Sequence, residues 1–206
     1  MGHKTALYGE HLALNARIVD FGGWDMPVQY TSVLAEHHAV RRAVGMFDVS
    51  HMTVLVAEGP EATAFLRYLL ANDVEKLTHL GRALYTCMLN EDGGIVDDLI
   101  IYKLGEHFYR AIVNAATRAK DIAWFKTHAV AFDVTILERT DLSILAVQGP
   151  KACAKADSIF SDKQRQAVRD LTYFSAAFLD NVLVAKTGYT GEMGYEIIMC
   201  NEQAQS

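Results

Sequence analysis

Two carboxylates lie side by side in Gly93-Gly94-Ile95-Val96-Asp97-Asp98-Leu99-Ile100-Ile101-Tyr102, a run that is otherwise apolar after its glycines. Successive side chains of a strand point to opposite faces, so if one face packs on a core, one of the two aspartates must point toward it. A buried carboxylate is costly unless something pairs with it or uses it. Desolvation tends to raise its pKa, as a proton-handling group requires. The competing reading is a hairpin-adjacent strand end with both carboxylates in water.

A second candidate is Thr187-Gly188-Tyr189-Thr190-Gly191-Glu192-Met193-Gly194-Tyr195-Glu196. Glycines at every third position can cradle a phosphate or let a backbone approach a ligand. A strand-like run follows them rather than a helix, which argues against dinucleotide binding. Alternating Tyr and Glu suit a flat aromatic ligand with hydrogen-bonding edges, and a glycine-rich hairpin turn is the plainer account.

A third is Gly45-Met46-Phe47-Asp48-Val49-Ser50-His51-Met52, where Asp, Ser and His crowd together. Triad members normally converge from separate elements, and no G-x-S-x-G elbow is present, so a structural turn is expected. Met46, Phe47 and Met52 are candidate walls of an apolar pocket. His37 and His38 are neighbours on an expected helix and diverge. With no H-E-x-x-H and no paired C-x-x-C, no metal site is expected. Cys87 lies in an apolar strand and reads as core.

Several elements must position these residues. A helical pattern runs from about Leu7 to Val19, followed by a turn at Gly22-Gly23 and an apolar-aromatic stretch to Tyr30. Thr31-Ser32 offers an N-cap for a helix to about Val44, with Gly45 where a helix C-terminus favours glycine. Thr53–Ala57 reads as a strand, and Pro60 opens a helix reaching Leu70. Ala83–Leu89 and Ile95–Leu104 form a hairpin across Asn90–Gly94, with Phe108–Val113 a third strand. Thr117–Ala129 is an expected helix with Arg118, Lys120 and Asp121 on its polar side. Strands are expected at Val134–Leu137 and Leu142–Val147, helices after Gly149-Pro150 and over Ser161–Arg169, and strands at 176–178, 182–185 and 195–199. The last strand, followed by a short polar tail, suggests a sheet cut off before its neighbour. Strands and helices mix without strict alternation, which predicts an α+β fold with mixed, largely antiparallel sheets and flanking helices.

The 206 residues are 51% hydrophobic and 21% charged, enough for a sizeable core. The length permits one large domain or two small ones, and two intertwined subdomains with boundaries near 50 and 140 are the expected division. A net charge of -6 excludes a global pull toward nucleic acid or an anionic membrane. Three widely spaced cysteines predict no disulfide framework and a reducing compartment. No apolar leader core and no run of ~18 apolar residues is present, so a cytoplasmic protein is expected.

Taken in order, Met46–Met52, Gly93–Ile100 and Thr187–Glu192 resemble the glycine cleavage T-protein family of folate-dependent aminomethyltransferases. Val19–Trp24, Leu70–Asp73, Val113–Ala115 and Val147–Pro150 match as well, so the resemblance covers nearly the whole chain from Thr5. It implies the aminomethyltransferase folate-binding fold, tetrahydrofolate as cofactor, and the lipoylated H-protein as partner. The implied reaction passes the one-carbon unit of a lipoyl-bound aminomethyl group to tetrahydrofolate and releases ammonia. The second aspartate of the pair, Asp98, inherits the acid-base role, and Asp97 is assigned to the opposite strand face as a structural residue. Family folate contacts map to Tyr85, Asn114, Tyr189 and Glu196, with Met52 and Tyr102 as pocket walls. Members of the family continue past the equivalent of position 206 with a G-L-G-A-R-D segment and a C-terminal barrel. The alternative is a folate-binding module of the same superfamily without aminomethyl transfer. Relatives that assist iron–sulfur assembly carry a K-G-C-Y-type motif not found here, and nothing resembles the flavin fingerprint of the sarcosine and dimethylglycine enzymes.

Overall fold

The computed structural model describes residues 2–188 and 190–206. Along the chain lie α1 (Tyr8–Ala13), β1 (Arg17–Phe21), β2 (Trp24–Gln29), α2 (Val33–Arg42), β3 (Gly45–Asp48), β4 (Thr53–Glu58), α3 (Ala62–Leu69), β5 (Ala83–Leu89), β6 (Ile95–Lys103) and β7 (Phe108–Val113). They are followed by α4 (Arg118–Ala129), β8 (Thr135–Glu138), β9 (Leu142–Gln148), α5 (Ala152–Ala156), α6 (Asp162–Arg169), β10 (Ala176–Leu179), β11 (Val182–Ala185), β12 (Gly194–Cys200) and α7 (Asn201–Ala204). The fold is α+β, and the sheets are antiparallel throughout. The chain divides into two compact units, residues 1–51 with 141–206, and residues 52–140.

In the second unit five strands run in the order β5-β6-β7-β4-β8. One face of this sheet carries the core. Phe65 and Leu66 of α3 and Phe125 of α4 are fully buried in a cluster with Leu55, Leu99, Ile101 and Val113. Burying side chains of this size contributes roughly 1.5–3 kcal/mol each.

In the first unit β1 and β2 form a hairpin, and a separate sheet runs β10-β11-β12-β9-β3. Its core gathers Phe160, Val168, Val184, Tyr195 and Ile197. β12 is flanked by β11 and β9, so the strand expected to lack a neighbour has one on each side.

The expected helix over 7–19 is two elements. Asn15 adopts φ 57°, the Ala16 amide donates to His11 O and the Asn15 amide to Leu12 O, a left-handed stop that ends α1 and lets residues 17–21 extend. Gly45 is not a helix terminus but the first residue of β3. A Cβ there would lie 2.5 Å from Val40 Cγ2, so any larger residue requires the Val40 side chain to shift. Ser32 caps α2 as expected, accepting from the Ala35 amide, and Glu36 Oε1 accepts from the Tyr30 and Thr31 amides at 2.8 Å each.

Both units turn from strand to helix through Gly-Pro. Gly59 has φ +146° and Gly149 φ +134°; a Cβ would come within 2.5 Å of Asp133 O at the first and 2.6 Å of Ala43 O at the second. Pro60 sits ahead of α3 rather than inside its first turn. Gly59→Ala is expected to cost about 1–3 kcal/mol, read as a lower urea midpoint with unchanged slope. An unchanged midpoint would mean the backbone is not in this conformation.

Candidate functional site

The Asn90–Gly94 turn sets the geometry of the adjacent carboxylates. Asn90 N–H donates to Gly94 O at 2.8 Å, and the Gly94 amide donates to Asn90 Oδ1 at 2.6 Å. Gly93 supplies the φ of +79° that closes the loop. The resulting register places Cys87 opposite Asp98 and Tyr85 opposite Ile100. Strand alternation then separates the pair: Asp97 shares the core face with Leu99 and Ile101, and Asp98 shares the other face with Ile100, Tyr102, Tyr85 and Cys87.

Asp98 is half-buried and Tyr85 is 52% exposed. The Tyr85 hydroxyl donates to Asp98 Oδ2 at 2.5 Å. That hydrogen bond to a carboxylate, reinforced by the aspartate charge, pushes the phenol up to about 12. Among the described residues Asp98 Oδ1 has only a long contact, 3.4 Å from Asn114 Nδ2. The second oxygen therefore keeps capacity for a further proton or donor.

Asn114 directly follows β7. Its amide nitrogen reaches Asp97 Oδ1 at 3.0 Å and Asp98 O at 3.2 Å, besides the longer contact to Asp98 Oδ1. Three oxygens on one side fix the amide nitrogen toward the pair. Asp97 is 9% exposed and also accepts from Thr117 Oγ1. Burial alone would raise its pKa, but the neighbouring Asp121 carboxyl and the hydrogen bonds from Thr117 and Asn114 outweigh that and hold it below the ordinary carboxylate value.

Tyr102 is fully buried on the Asp98 face, where it pairs with Ala83 and Arg110. Met52 is half-buried and immediately precedes Thr53, the partner of Val113. Met52, Tyr85, Asp98, Tyr102 and Asn114 thus all belong to the second unit, and the structure joins Tyr85, Asp98 and Asn114 directly. Glu196 belongs to the first unit, on β12. It accepts a hydrogen bond from Thr187, and burial raises its pKa against that bond. Tyr189 lies outside the described residues. Beside it in sequence, Tyr173, Lys186, Gly188, Gly191, Glu192 and Gly194 line a cavity of about 380 Å³ in the first unit.

The Asp48 segment is structural. Asp48 accepts from Thr5 Oγ1 at 2.7 Å and from the Ser50 amide at 2.9 Å, and pairs with His11 Nε2 at 2.9 Å. Ser50 Oγ donates to Ile144 O, so no Ser-His-Asp relay forms within the segment. Met46 and Phe47 are exposed rather than walling a pocket.

Two residues of the site were not picked out from the sequence. Cys87, expected in the core, is half-buried on the face of Tyr85 and Asp98. Asp121, expected on the polar side of its helix, is 0% exposed. Its spacing from Phe125 and Ala129, the buried stripe of α4, carried that signal. Among the described residues no group of three or more His, Cys, Asp or Glu could hold a metal ion, and no helix is long and apolar enough to cross a membrane.

Residues 7–206 match the family described as the GCVT N-terminal domain. The chain belongs to that family. Its fold superposes on the glycine cleavage system aminomethyltransferase T from Bartonella henselae with a TM-score of 0.91 and 33% identity, over 100% of this chain and 55% of that one. The chain therefore spans about half the length of that relative. A heterotetrameric sarcosine oxidase from Corynebacterium sp. U-96 shares the fold at 15% identity and a TM-score of 0.58, over 98% of this chain and 89% of that one. The protein is an aminomethyltransferase-like domain of the glycine cleavage T-protein family.

The Tyr85 phenol gives a direct check on the outward face. Alkaline ultraviolet titration of the native chain minus Tyr85→Phe is expected to show a midpoint of about 12. A midpoint of about 10, the ordinary tyrosine value, would show that the bond to Asp98 is not made.

Proposed function

We propose that the protein transfers the one-carbon unit of a lipoyl-bound aminomethyl group, carried on H-protein, to tetrahydrofolate with release of ammonia. The observation that carries this reading is the outward Asp98 carboxylate, held at one oxygen by Tyr85 and left open at the other, in a chain of the aminomethyltransferase family.

The residues present fit a pterin. The outward face of β5 and β6 offers a half-exposed aromatic ring at Tyr85, apolar surface at Ile100, a carboxylate at Asp98 and a carboxamide at Asn114. Flat ligands rich in donors and acceptors are held by such a mixture of aromatic and polar groups. Tetrahydrofolate, when bound, supplies the nitrogen that takes up the carbon unit. Asp98 Oδ1 is the oxygen with room to accept a proton at the reacting centre. Tyr85 donates to Oδ2 and so keeps the carboxylate from rotating, while Asn114 holds the strand end through Asp98 O. Met52 and Tyr102 are assigned as pocket walls. Glu196 and Tyr189, in the first unit, take their folate-binding assignment from the family resemblance alone. The protein is placed in the cytoplasm, in keeping with three free cysteines.

Calorimetric titration of tetrahydrofolate into this chain, paired with turnover on aminomethylated H-protein, tests the reading. The native chain is expected to bind. Asp98→Asn is expected to keep binding within a few-fold and to lose about 100- to 10,000-fold in turnover, the range for removing a general acid-base group. Undiminished turnover in the variant would overturn the assignment of Asp98. Absence of binding by the native chain would overturn the transfer reading for these 206 residues.

A further inference from the structure

Asp121 sits in the first turn of α4, fully buried, in line with Phe125 and Ala129. Neither of its carboxyl oxygens meets a donor among the described residues, although both are shielded from solvent. An ionised carboxylate in that position loses its water, and the nearby Thr117 hydroxyl and Lys120 ammonium offset only part of that loss. The group it faces from β6 is Asp97. Two ionised carboxylates cannot hydrogen-bond, so the contact exists only if one of them carries the proton.

The surroundings decide which one. Asp97 already accepts from Asn114 Nδ2 and Thr117 Oγ1, which favours its charged form. Burial, with the Asp97 carboxylate beside it, pushes Asp121 up to about 7. The Thr117 hydroxyl and Lys120, whose ammonium donates to Val96 O, favour the charged form of Asp121 but do not outweigh burial and the Asp97 carboxylate. The proton belongs to Asp121.

We propose that Asp121 is a positioning residue of the transfer site: its carboxyl donates a hydrogen bond to Asp97, and Asp97 in turn aligns the Asn114 amide against the backbone and side chain of Asp98. The functional consequence rests on the transfer reading, whereas the alignment of Asn114 does not. When the proton leaves Asp121, two carboxylates face each other and the donor that Asp97 had is gone. Asp121 binds its proton more tightly folded than unfolded. Its contribution to stability is therefore present at low pH and is lost as pH rises from about 4 through about 7.

The test follows the Asn114 side-chain amide and the Asp121 carboxyl carbon by nuclear magnetic resonance across roughly pH 3 to 9. In the native chain both are expected to shift together with a midpoint of about 7. In Asp121→Asn, whose amide donates to Asp97 at every pH, the Asn114 step is expected to vanish. Tetrahydrofolate affinity in that variant is expected to lose the component of its pH dependence that tracks the Asn114 step. An Asn114 amide indifferent to pH in the native chain, or the same step persisting in Asp121→Asn, would overturn the proposal. The native carboxyl titration stands even if the variant fails to fold; a midpoint of about 4, the ordinary aspartate value, would also overturn it. A native chain that shows the Asn114 step but binds no tetrahydrofolate would sink the transfer reading and keep the alignment. A chain that binds and turns over without the step would do the reverse.

Discussion

Adjacent residues on a strand cannot face the same way, and the candidate site is built on that constraint. Asp97 and Asp98 are neighbours on β6, so committing one to the buried face commits the other to the open face. The inward carboxylate is expensive. It is tolerated because Asn114 and Thr117 donate hydrogen bonds to it, and such bonds to a charged group are worth roughly 1.5–3 kcal/mol each. The outward carboxylate gains from the arrangement. Asn114 bonds to both residues, so the interactions that offset burial of Asp97 also hold the strand end that presents Asp98.

The rest of the second unit serves that pairing. The Asn90–Gly94 turn fixes which residues of β5 oppose β6 and so brings Tyr85 and Cys87 to the Asp98 face. A one-residue slip would exchange the two faces and put Asp98 into the core. α4 closes the inner face with Phe125 and Ala129 and delivers Asp121 from the same stripe. Thr117, the residue before that helix, turns its hydroxyl to Asp97 rather than to the helix amides. The helix start and the carboxylate cluster are therefore one structure.

Much of this was legible in the sequence because apolar runs and turn residues were distinct. Apolar runs marked β5, β6 and β7 to within a residue, and a run of polar turn residues marked the hairpin between the first two. Strand geometry put one aspartate of the pair inward and the family resemblance chose Asp97, but neither said which groups surround it, since Thr117 and Asp121 come from outside the sheet. Asp121 looked like surface because it is charged and adjoins Arg118 and Lys120; only its spacing to Phe125 pointed inward. Cys87 looked like core because β5 is apolar on both sides of it, yet its register partner is Asp98. The error at the N-terminus had a local cause. The apolar pattern of Leu7, Leu12 and Leu14 runs into that of β1, and the signal that separates them is the single left-handed Asn15. The role of Gly45 was also misjudged, because close approach of the Val40 side chain cannot be read from neighbours in sequence.

Family membership and the outward face of β5 and β6 are the two supports of the proposed chemistry. The most direct measurement is a titration of tetrahydrofolate into isotope-labelled chain, following side-chain and backbone amides. The account predicts that the Asn114 side-chain amide and the β6 backbone amides around Asp98 shift first and saturate together. Shifts confined to the cavity around Lys186 and Gly191 in the first unit, with Asn114 and β6 unmoved, would contradict it.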